Sequence, residues 1–210
     1  QIAIHGFGKR MARTQSADYA IRREAIVDRA AELFAERGFL GASIADLADA
    51  LKTSKSLIYH YYDSKEDILF DVMHSHVQAL LDQAEAIAAK PLAPAEKLRA
   101  LTQAFIELYV DAAARQRVLL NELSRLPDAQ RKTIVGIQRQ LIEIVEKIVG
   151  ELRPELAGRA ALKRPSAMLY FGMINWMHTW LDPDGKAKPQ RIADLAVSTF
   201  LDGIEKAELP

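Results

Sequence analysis

The segment TSKSLIYHYYDSKEDIL (53–69) brings hydroxyl, ammonium, imidazole and phenol groups together within a few residues. On a helix of 3.6 residues per turn, Lys55, Ser56 and Tyr59 point to one side, with His60 at its edge. Such groups hydrogen-bond to phosphate oxygens and base edges, and a helix is narrow enough for the major groove of DNA. The segment therefore predicts a nucleic-acid contact, with ordinary solvated side chains on a helical hairpin as the alternative.

Apolar side chains occupy the opposite side of the same predicted helix. Leu57, Ile58 and Tyr61 fall together there, so we expect them to pack onto the preceding helices. The rings of this segment are thus expected in two different environments, with Tyr59 at the surface and Tyr61 in the core. Tyr62 flanks the polar side, and its phase assigns it to neither environment.

Catalytic and metal chemistry find no comparable pattern in the chain. His74 and His76 are two residues apart, so on a helix they point about 200° from each other and cannot share a metal ion. There is no cysteine, which excludes disulfides and thiolate metal sites. The stretch GFGKR (6–10) lacks the spacing of a phosphate-binding loop. We therefore expect no enzymatic activity, no cofactor and no metal.

Composition bounds the class of protein and its partners. The chain has 210 residues, half of them hydrophobic, which is enough for one large domain or two small ones. No apolar run approaches the ~18–20 residues that span a bilayer, and no secretory signal is visible, so we expect a cytoplasmic protein without membrane contact. Net charge is zero, but residues 1–65 have a small basic excess and the remainder an acidic one. This asymmetry favours an anionic partner at the N-terminal end.

Helical periodicity runs through almost the whole chain, and no alternating strand pattern is present. We predict an all-α fold of nine helices, three in a small N-terminal unit and six in a larger bundle. Gly38 is expected to end the first helix, and Ser43 with Asp46 fits a capping box for the second. Two short helices braced by a longer one make a helix-turn-helix. The predicted helices cover about 18–37, 43–51, 54–62, 64–89, 95–114, 115–126, 127–152, 165–181 and 189–206.

Three stretches resemble the TetR (tetracycline-repressor-like) family of bacterial transcriptional regulators, in the order and spacing of that family. They are LFAERGF (33–39), GASIADLA (41–48) and SKSLIYHYYDSKE (54–66). The resemblance implies a dimeric DNA-binding regulator, typically a repressor that a small molecule releases from its double-stranded DNA operator. The alternative is a helical protein-interaction module, or a small-molecule-binding protein, without specific DNA binding.

The resemblance also implies a division of the chain and roles for single residues. Residues 1–17 would be a flexible basic segment, 18–63 the DNA-binding domain and 64–210 the ligand-binding and dimerisation domain, with helix 64–89 as the lever between them. Phosphate contacts are implied for Ser43, Tyr59, His60 and Lys65, and groove-facing positions for Thr53, Ser54, Lys55 and Ser56. Lys52 and Ser56 stand where glycine is common in the family, and Leu57 where threonine is common.

The last two helices are expected to form a four-helix bundle with their copies in a second chain, as the resemblance implies. A wide apolar face on a terminal helix also needs a cover, which burial within one chain would equally provide. The predicted homodimer interface consists of Ile192, Leu195, Ala196, Thr199, Phe200, Gly203 and Ile204.

The C-terminal bundle is expected to hold the small-molecule effector. Apolar walls with a few polar groups describe a ligand site as well as an ordinary core. The predicted lining residues are Tyr109, Asn121, Glu122, Arg125, Tyr170, Asn175, Trp176 and Thr179. NELSRLP (121–127) and GMINWMHTWLDPDG (172–185) are similar to TetR regulators of fatty-acid, phenylacetate or steroid degradation, which sense acyl-CoA thioesters. The basic residues expected near the CoA phosphates are Arg115, Arg117, Arg125, Arg131 and Lys132.

Overall fold

The computed structural model of the protein describes residues 7–182 and 184–206. This part of the chain is all-α, as predicted, and contains no β-strand. Three 3₁₀ segments, at Leu123–Arg125, Pro154–Gly158 and Trp176–Thr179, join or extend its helices. The nine α-helices are α1 (Phe7–Gly41), α2 (Ile44–Ala50), α3 (Lys55–Tyr61), α4 (Lys65–Ala88), α5 (Pro94–Asp111), α6 (Ala113–Asn121), α7 (Asp128–Leu152), α8 (Ala160–Asn175) and α9 (Pro189–Lys206).

Helix α1 is longer than predicted. It begins at Phe7 rather than near Asp18, and residues 1–6 of the predicted N-terminal segment lie outside the described residues. Helical geometry breaks at Gly38, where φ is 72° and ψ is 159°. Glycine alone adopts this conformation without a steric cost, so the predicted stop at Gly38 is confirmed. The turn carries Phe39 into the core, where it is 3% exposed.

Helices α1, α2 and α3 share a small apolar core. Phe34, Leu47 and Ile58 are its most buried large side chains, at 2%, 1% and 0% exposed. Ser43 caps α2, because its hydroxyl accepts a hydrogen bond from the Asp46 N–H at 3.1 Å, as the capping pattern predicts. These contacts fix α3 against two helices and leave its other side facing outward.

The turn between α2 and α3 places a lysine in the left-handed region. Lys52 has a φ of 52°. Its N–H donates to the Asp49 carbonyl at 3.0 Å, and the Thr53 N–H donates to the Ala48 carbonyl at 2.9 Å. This pair of bonds is a Schellman motif, which usually has glycine at the left-handed position. The turn therefore forms without the glycine common in the family, at the steric cost of a side chain at positive φ.

Replacing Lys52 with glycine is expected to raise the thermal unfolding midpoint. A side chain in the left-handed region costs about 1–2 kcal/mol, and glycine loses about 0.5–1 kcal/mol through the entropy of the unfolded chain. The net gain of about 0.5 kcal/mol corresponds to about 1–2 °C in a calorimetric scan. Lys132→Gly is the matched control, because Lys132 is exposed inside α7 and its loss should cost about 1 kcal/mol. A lower midpoint for Lys52→Gly would contradict this account of the turn.

Helices α4 to α9 form the second core. Helix α4 packs against α5, α6 and α7, while α9 packs against α5 and α8 against α7. Phe105, Ile134 and Tyr170 are each at most 1% exposed in this core. Helix α1 packs on both α4 and α6, which joins the N-terminal unit to the bundle. Among the helices described, none combines the length and apolar composition that crossing a membrane requires.

Candidate functional site

The polar face of α3 lies at the surface of the N-terminal unit. Lys55, Ser56 and His60 are exposed, and Tyr59 is 53% exposed. Ser54 begins the helix, since its hydroxyl accepts from the Leu57 N–H at 3.2 Å. Hydroxyl, ammonium and imidazole groups thus project from one side of a short, rigid helix, which suits contacts with phosphates and base edges.

Tyr61 is less buried than expected, and Tyr62, which the sequence left unassigned, lies in the core. Tyr62 is buried, at 5% exposed, whereas Tyr61 is only partly buried and packs on the Tyr19 ring at a centroid distance of 4.7 Å. The Tyr62 hydroxyl donates to Asp71 on α4, and Arg23 on α1 forms an ion pair with the same carboxylate at 2.8 Å. Burial and the hydrogen bond to Asp71 raise the pKa of Tyr62. Tyr62 is therefore the ring that fixes α3 to α1 and α4, a correction to the role expected for Tyr61.

Lys65 makes contacts inside the protein. Its ammonium donates to the carbonyls of Phe39 at 2.8 Å and Ala42 at 2.9 Å, and it lies 4.1 Å from the centroid of the Phe39 ring. An ammonium has three N–H donors, and two of them are used here. Lys65 thus holds the start of α4 to the end of α1, a structural role that the phosphate contact implied for it did not include.

Helices α8 and α9 expose a broad apolar surface, which we term the α8–α9 face. Leu169, Trp176 and Leu195 are 72%, 65% and 65% exposed on it. They surround a recess of about 860 Å³ whose lining is almost entirely apolar. Exposed apolar patches of this kind are characteristic of interaction sites, so this face is a candidate interface.

Not every residue of the predicted interface lies on the α8–α9 face. Leu195 and Thr199 line its recess together with Ile192 and Ala196. Phe200 instead packs inward against Tyr170, with ring centroids 5.4 Å apart, because its position on α9 faces α5 and α8. Two further predicted positions lie off the recess, where Gly203 is exposed and Ile204 packs on the core.

A second recess lies inside the bundle, and we term it the bundle cavity. It has a volume of about 190 Å³ and is enclosed by α4, α5, α6, α7 and α8. Its walls are mainly aliphatic and aromatic, and its polar lining groups are Tyr109, Gln116, Gln138 and Asn175. The apolar lining residues are Val77, Leu80, Phe105, Leu119, Leu120, Leu141, Ile142, Met168 and Phe171.

The polar groups of the bundle cavity are joined by short hydrogen bonds. The Tyr109 hydroxyl donates to Asn175 Oδ1 at 2.7 Å. Behind the wall, His76 Nε2 lies 2.7 Å from Gln116 Oε1. Burial lowers the pKa of His76 and raises the pKa of Tyr109, so both side chains are neutral at physiological pH.

The predicted ligand-binding set agrees with the bundle cavity only at Tyr109 and Asn175. Tyr170 is buried behind it, where its hydroxyl lies 3.0 Å from Thr102 Oγ1. Helix α8 ends at Asn175 and continues as a tighter 3₁₀ turn, so Trp176 and Thr179 point outward. The remaining predicted residues lie at the end of α6 and directly after it, outside the cavity lining, namely Asn121, Glu122 and Arg125.

Several lining residues escaped prediction from sequence. Gln116 and Gln138 are polar residues on the inner sides of α6 and α7. Helical periodicity was the available signal, but it does not separate a cavity wall from solid core.

Arg115 connects the wall of the bundle cavity to α1. Its guanidinium donates to Asp28 Oδ1 at 2.7 Å, to Glu24 and to the Ser75 hydroxyl at 2.9 Å, and its side chain is 13% exposed. This contact replaces the phosphate-binding role expected for Arg115. The next residue, Gln116, lines the cavity, so one turn of α6 contacts both the cavity and the N-terminal unit.

Comparisons with known proteins agree with this architecture. Residues 91–204 match the family described as Tetracyclin repressor-like, C-terminal domain, and residues 26–72 match Bacterial regulatory proteins, tetR family. A TetR-family transcriptional regulator from Bordetella parapertussis 12822 is 38% identical, with a TM-score of 0.84 over 90% of this chain and 98% of that chain.

Two further relatives have names that describe binding or regulation. The crystal structure of AibR in complex with isovaleryl coenzyme A and operator DNA is 26% identical, with a TM-score of 0.75 over 85% of this chain and 97% of that one. The HTH-type transcriptional repressor KstR2 of Mycolicibacterium smegmatis is 24% identical over 197 residues, which are 90% of this chain and 93% of the relative.

Proposed function

We propose a function from the family to which this chain belongs, the TetR family of bacterial regulatory proteins. Members of this family are ligand-responsive DNA-binding regulators and not enzymes. For this chain we propose a homodimeric repressor that contacts its operator through α3. A small molecule in the bundle cavity would release it from DNA.

The observation that carries the DNA-binding proposal is the outward polar face of α3 on a rigid support. Ile58 is fully buried beneath that face, and Lys65 ties the start of α4 to the end of α1. The proposed phosphate contacts are those of Ser43, Tyr59 and His60, while Lys65 supports α3 through its bonds to Phe39 and Ala42. The proposed groove contacts are Thr53, Ser54, Lys55 and Ser56.

The α8–α9 face supports a homodimer as the active form. Leu169, Trp176 and Leu195 would be covered when two copies pack with their α8 and α9 helices together. A two-fold axis through this face would present two copies of α3 on one side of the DNA. Two half-sites one helical turn apart are about 34–36 Å from centre to centre, which is the spacing such a dimer reads.

We propose an acyl-CoA thioester as the effector. The named ligand of AibR supports this class, and AibR aligns with this chain over most of its length. The bundle cavity, at about 190 Å³, is smaller than the roughly 300–1,000 Å³ of ordinary ligand sites, so it would take the acyl group alone. The CoA moiety would lie outside, where Arg117 and Lys132 are exposed basic residues.

The coupling between cavity and DNA would run through α6 and α4. Arg115 holds α1 at Glu24 and Asp28, and it also bonds Ser75 on α4. A ligand against Gln116 would shift α6 and with it the attachment of α1. It would release DNA only by binding more tightly to the arrangement whose recognition helices do not fit the operator.

Lys55→Ala tests which face reads DNA. A base contact contributes about 1–3 kcal/mol of discrimination, so we expect roughly 10-fold weaker operator binding and relaxed preference at one or two base pairs. The measurement is selection of bound duplexes from a random-sequence pool, followed by fluorescence anisotropy. Lys97→Ala, on α5, is the matched control and should leave the selected sequence unchanged. If the Lys55→Ala variant selects the same sequences as the wild type, the proposal that α3 reads the bases through Lys55 is wrong.

Release by an effector is tested with the same labelled duplex. Isovaleryl-CoA should dissociate the complex in a concentration-dependent way, whereas isovalerate and free CoA should not. Failure of a panel of CoA esters to release DNA or to raise the melting temperature at saturation would exclude this effector class. Such a result would not contradict the DNA-binding proposal, because binding of the ligand-free protein to the duplex is measured separately.

A further inference from the structure

The bundle cavity has a polar end with a fixed hydrogen-bond direction. We infer that the effector presents a neutral carbonyl oxygen to the side-chain amide of Asn175, which donates to it through Nδ2. This inference rests on the proposed function, because it concerns the same cavity. It adds the chemical group that the cavity recognises and excludes a free carboxylic acid.

The direction of the bonds begins at His76. This side chain is 2% exposed and neutral, so one ring nitrogen carries a proton and the other does not. Its Nε2 lies 2.7 Å from Gln116 Oε1, which is an oxygen that only accepts. His76 Nε2 is therefore the donor, and the amide group of Gln116 is left with its N–H groups to donate.

Tyr109 and Asn175 form the polar pair that lines the cavity. Gln116 lowers the pKa of the Tyr109 phenol, against the larger effect of burial, which raises it. The Tyr109 hydroxyl then donates its own proton to Asn175 Oδ1 at 2.7 Å. The acceptor in each of the two hydrogen bonds is a side-chain amide oxygen, which cannot donate, so each bond has one direction.

Asn175 is the acceptor in the bond from Tyr109. Its Oδ1 is occupied by Tyr109, so the group left for the cavity is the Nδ2 amide, a donor. No described residue accepts from that nitrogen, while the backbone carbonyl of Asn175 is taken by His178 Nδ1 at 2.6 Å. That N–H donor is therefore available to an acceptor oxygen of a ligand in the cavity.

The lining residues also determine whether a charged or a neutral group of the ligand can be buried in the cavity. None of the residues that line the bundle cavity is a lysine, arginine, aspartate or glutamate. Tyr109 is neutral because burial raises its pKa, and Gln138 offers an uncharged amide on the opposite helix. A carboxylate placed here would lose its hydration without gaining a cation, which is strongly unfavourable. An ester, thioester, amide or ketone carries the same acceptor oxygen without that penalty.

The volume limits the size of the group. An apolar cavity of about 150 Å³ accommodates benzene, and the bundle cavity measures about 190 Å³. A short branched acyl chain or one six-membered ring fills such a space. The polar end would then hold the carbonyl, with the apolar body against Phe105, Leu141 and Phe171.

Three probes that share the same branched five-carbon chain test the inference by isothermal titration calorimetry on the full chain. They are S-isovaleryl-N-acetylcysteamine, the corresponding S-isopentyl thioether that lacks the carbonyl oxygen, and isovalerate. We expect the thioester to bind about 10-fold more tightly than the thioether, as one neutral hydrogen bond provides. Isovalerate should bind more weakly than both.

Variants separate the hydrogen bond from general packing. In Asn175→Leu the ratio between thioester and thioether should fall to about 1, whereas in Asn121→Leu it should stay near 10, because Asn121 lies outside the cavity lining. Circular dichroism melts show whether each variant is folded. The ratio of thioester to thioether affinity in the wild-type protein tests the inference even if a variant does not fold.

Equal binding of thioester and thioether, tightest binding of isovalerate, or an unchanged ratio in Asn175→Leu would each overturn the inference, as would no binding of any probe. Operator binding and its release by isovaleryl-CoA, measured on the same preparation, report on the proposed function independently of these results.

Discussion

Leu195→Arg is expected to convert the protein to a monomer and to lower operator affinity by about 100-fold or more. Leu195 is 65% exposed and lines the recess of the α8–α9 face. A two-fold axis would bring two copies of the new guanidinium into one apolar interface, and burying unpaired charges costs several kcal/mol. Two linked recognition helices bind DNA much more tightly than one, so loss of the dimer removes most of the affinity.

Multi-angle light scattering and fluorescence anisotropy measure the two effects together. Leu92→Arg is the matched control, since Leu92 is 36% exposed between α4 and α5 and away from the face. The control should remain dimeric with unchanged DNA binding. A dimeric Leu195→Arg with normal operator affinity would show that the α8–α9 face is not the dimer interface.

Lys65→Met is expected to destabilise the fold by about 2 kcal/mol, because two carbonyls lose a charged donor. The structure gives Lys65 hydrogen bonds to Phe39 and Ala42 across the junction of α1, α2 and α4. The thermal midpoint should fall by about 4–8 °C. Operator affinity should fall as α3 loses its support, with little change in its dependence on salt concentration.

Lys55→Met gives the opposite pattern and serves as the comparison. Lys55 is exposed on α3, so its loss should leave the thermal midpoint nearly unchanged while operator binding weakens. If Lys65→Met keeps its midpoint and instead reduces the slope of log affinity against log salt by about 1, Lys65 is a phosphate contact and not a structural clamp.

The fold was predictable because its determinants are local. The apolar phase of each helix, the capping box at Ser43 and the stop at Gly38 lie within a few residues of the features they specify. The phase argument left Tyr62 unassigned, because α3 has already ended there and the backbone is extended, with φ −142° and ψ 132°. Beyond a helix end the 100° rule no longer says which way a side chain points.

The candidate site was less predictable because it depends on contacts between distant segments. The hydrogen bond from His76 to Gln116 joins α4 and α6, and that from Tyr109 to Asn175 joins α5 and α8, and no spacing rule relates these helices. Trp176 carried the signal of an aromatic pocket residue, yet the 3₁₀ turn after α8 places it on the α8–α9 face. The predicted contacts of α3 with DNA depend on a partner that the sequence does not contain.

The most direct test of the central claim is the affinity for a duplex enriched from random-sequence DNA, compared with a scrambled duplex of equal length and composition. We predict that the enriched sequence has two related half-sites and binds about 1,000-fold more tightly or better at physiological salt. Log affinity should fall linearly with log salt between 50 and 200 mM. Equal affinity for the two duplexes, or no enrichment at all, would contradict the assignment of this chain as a sequence-specific DNA-binding regulator.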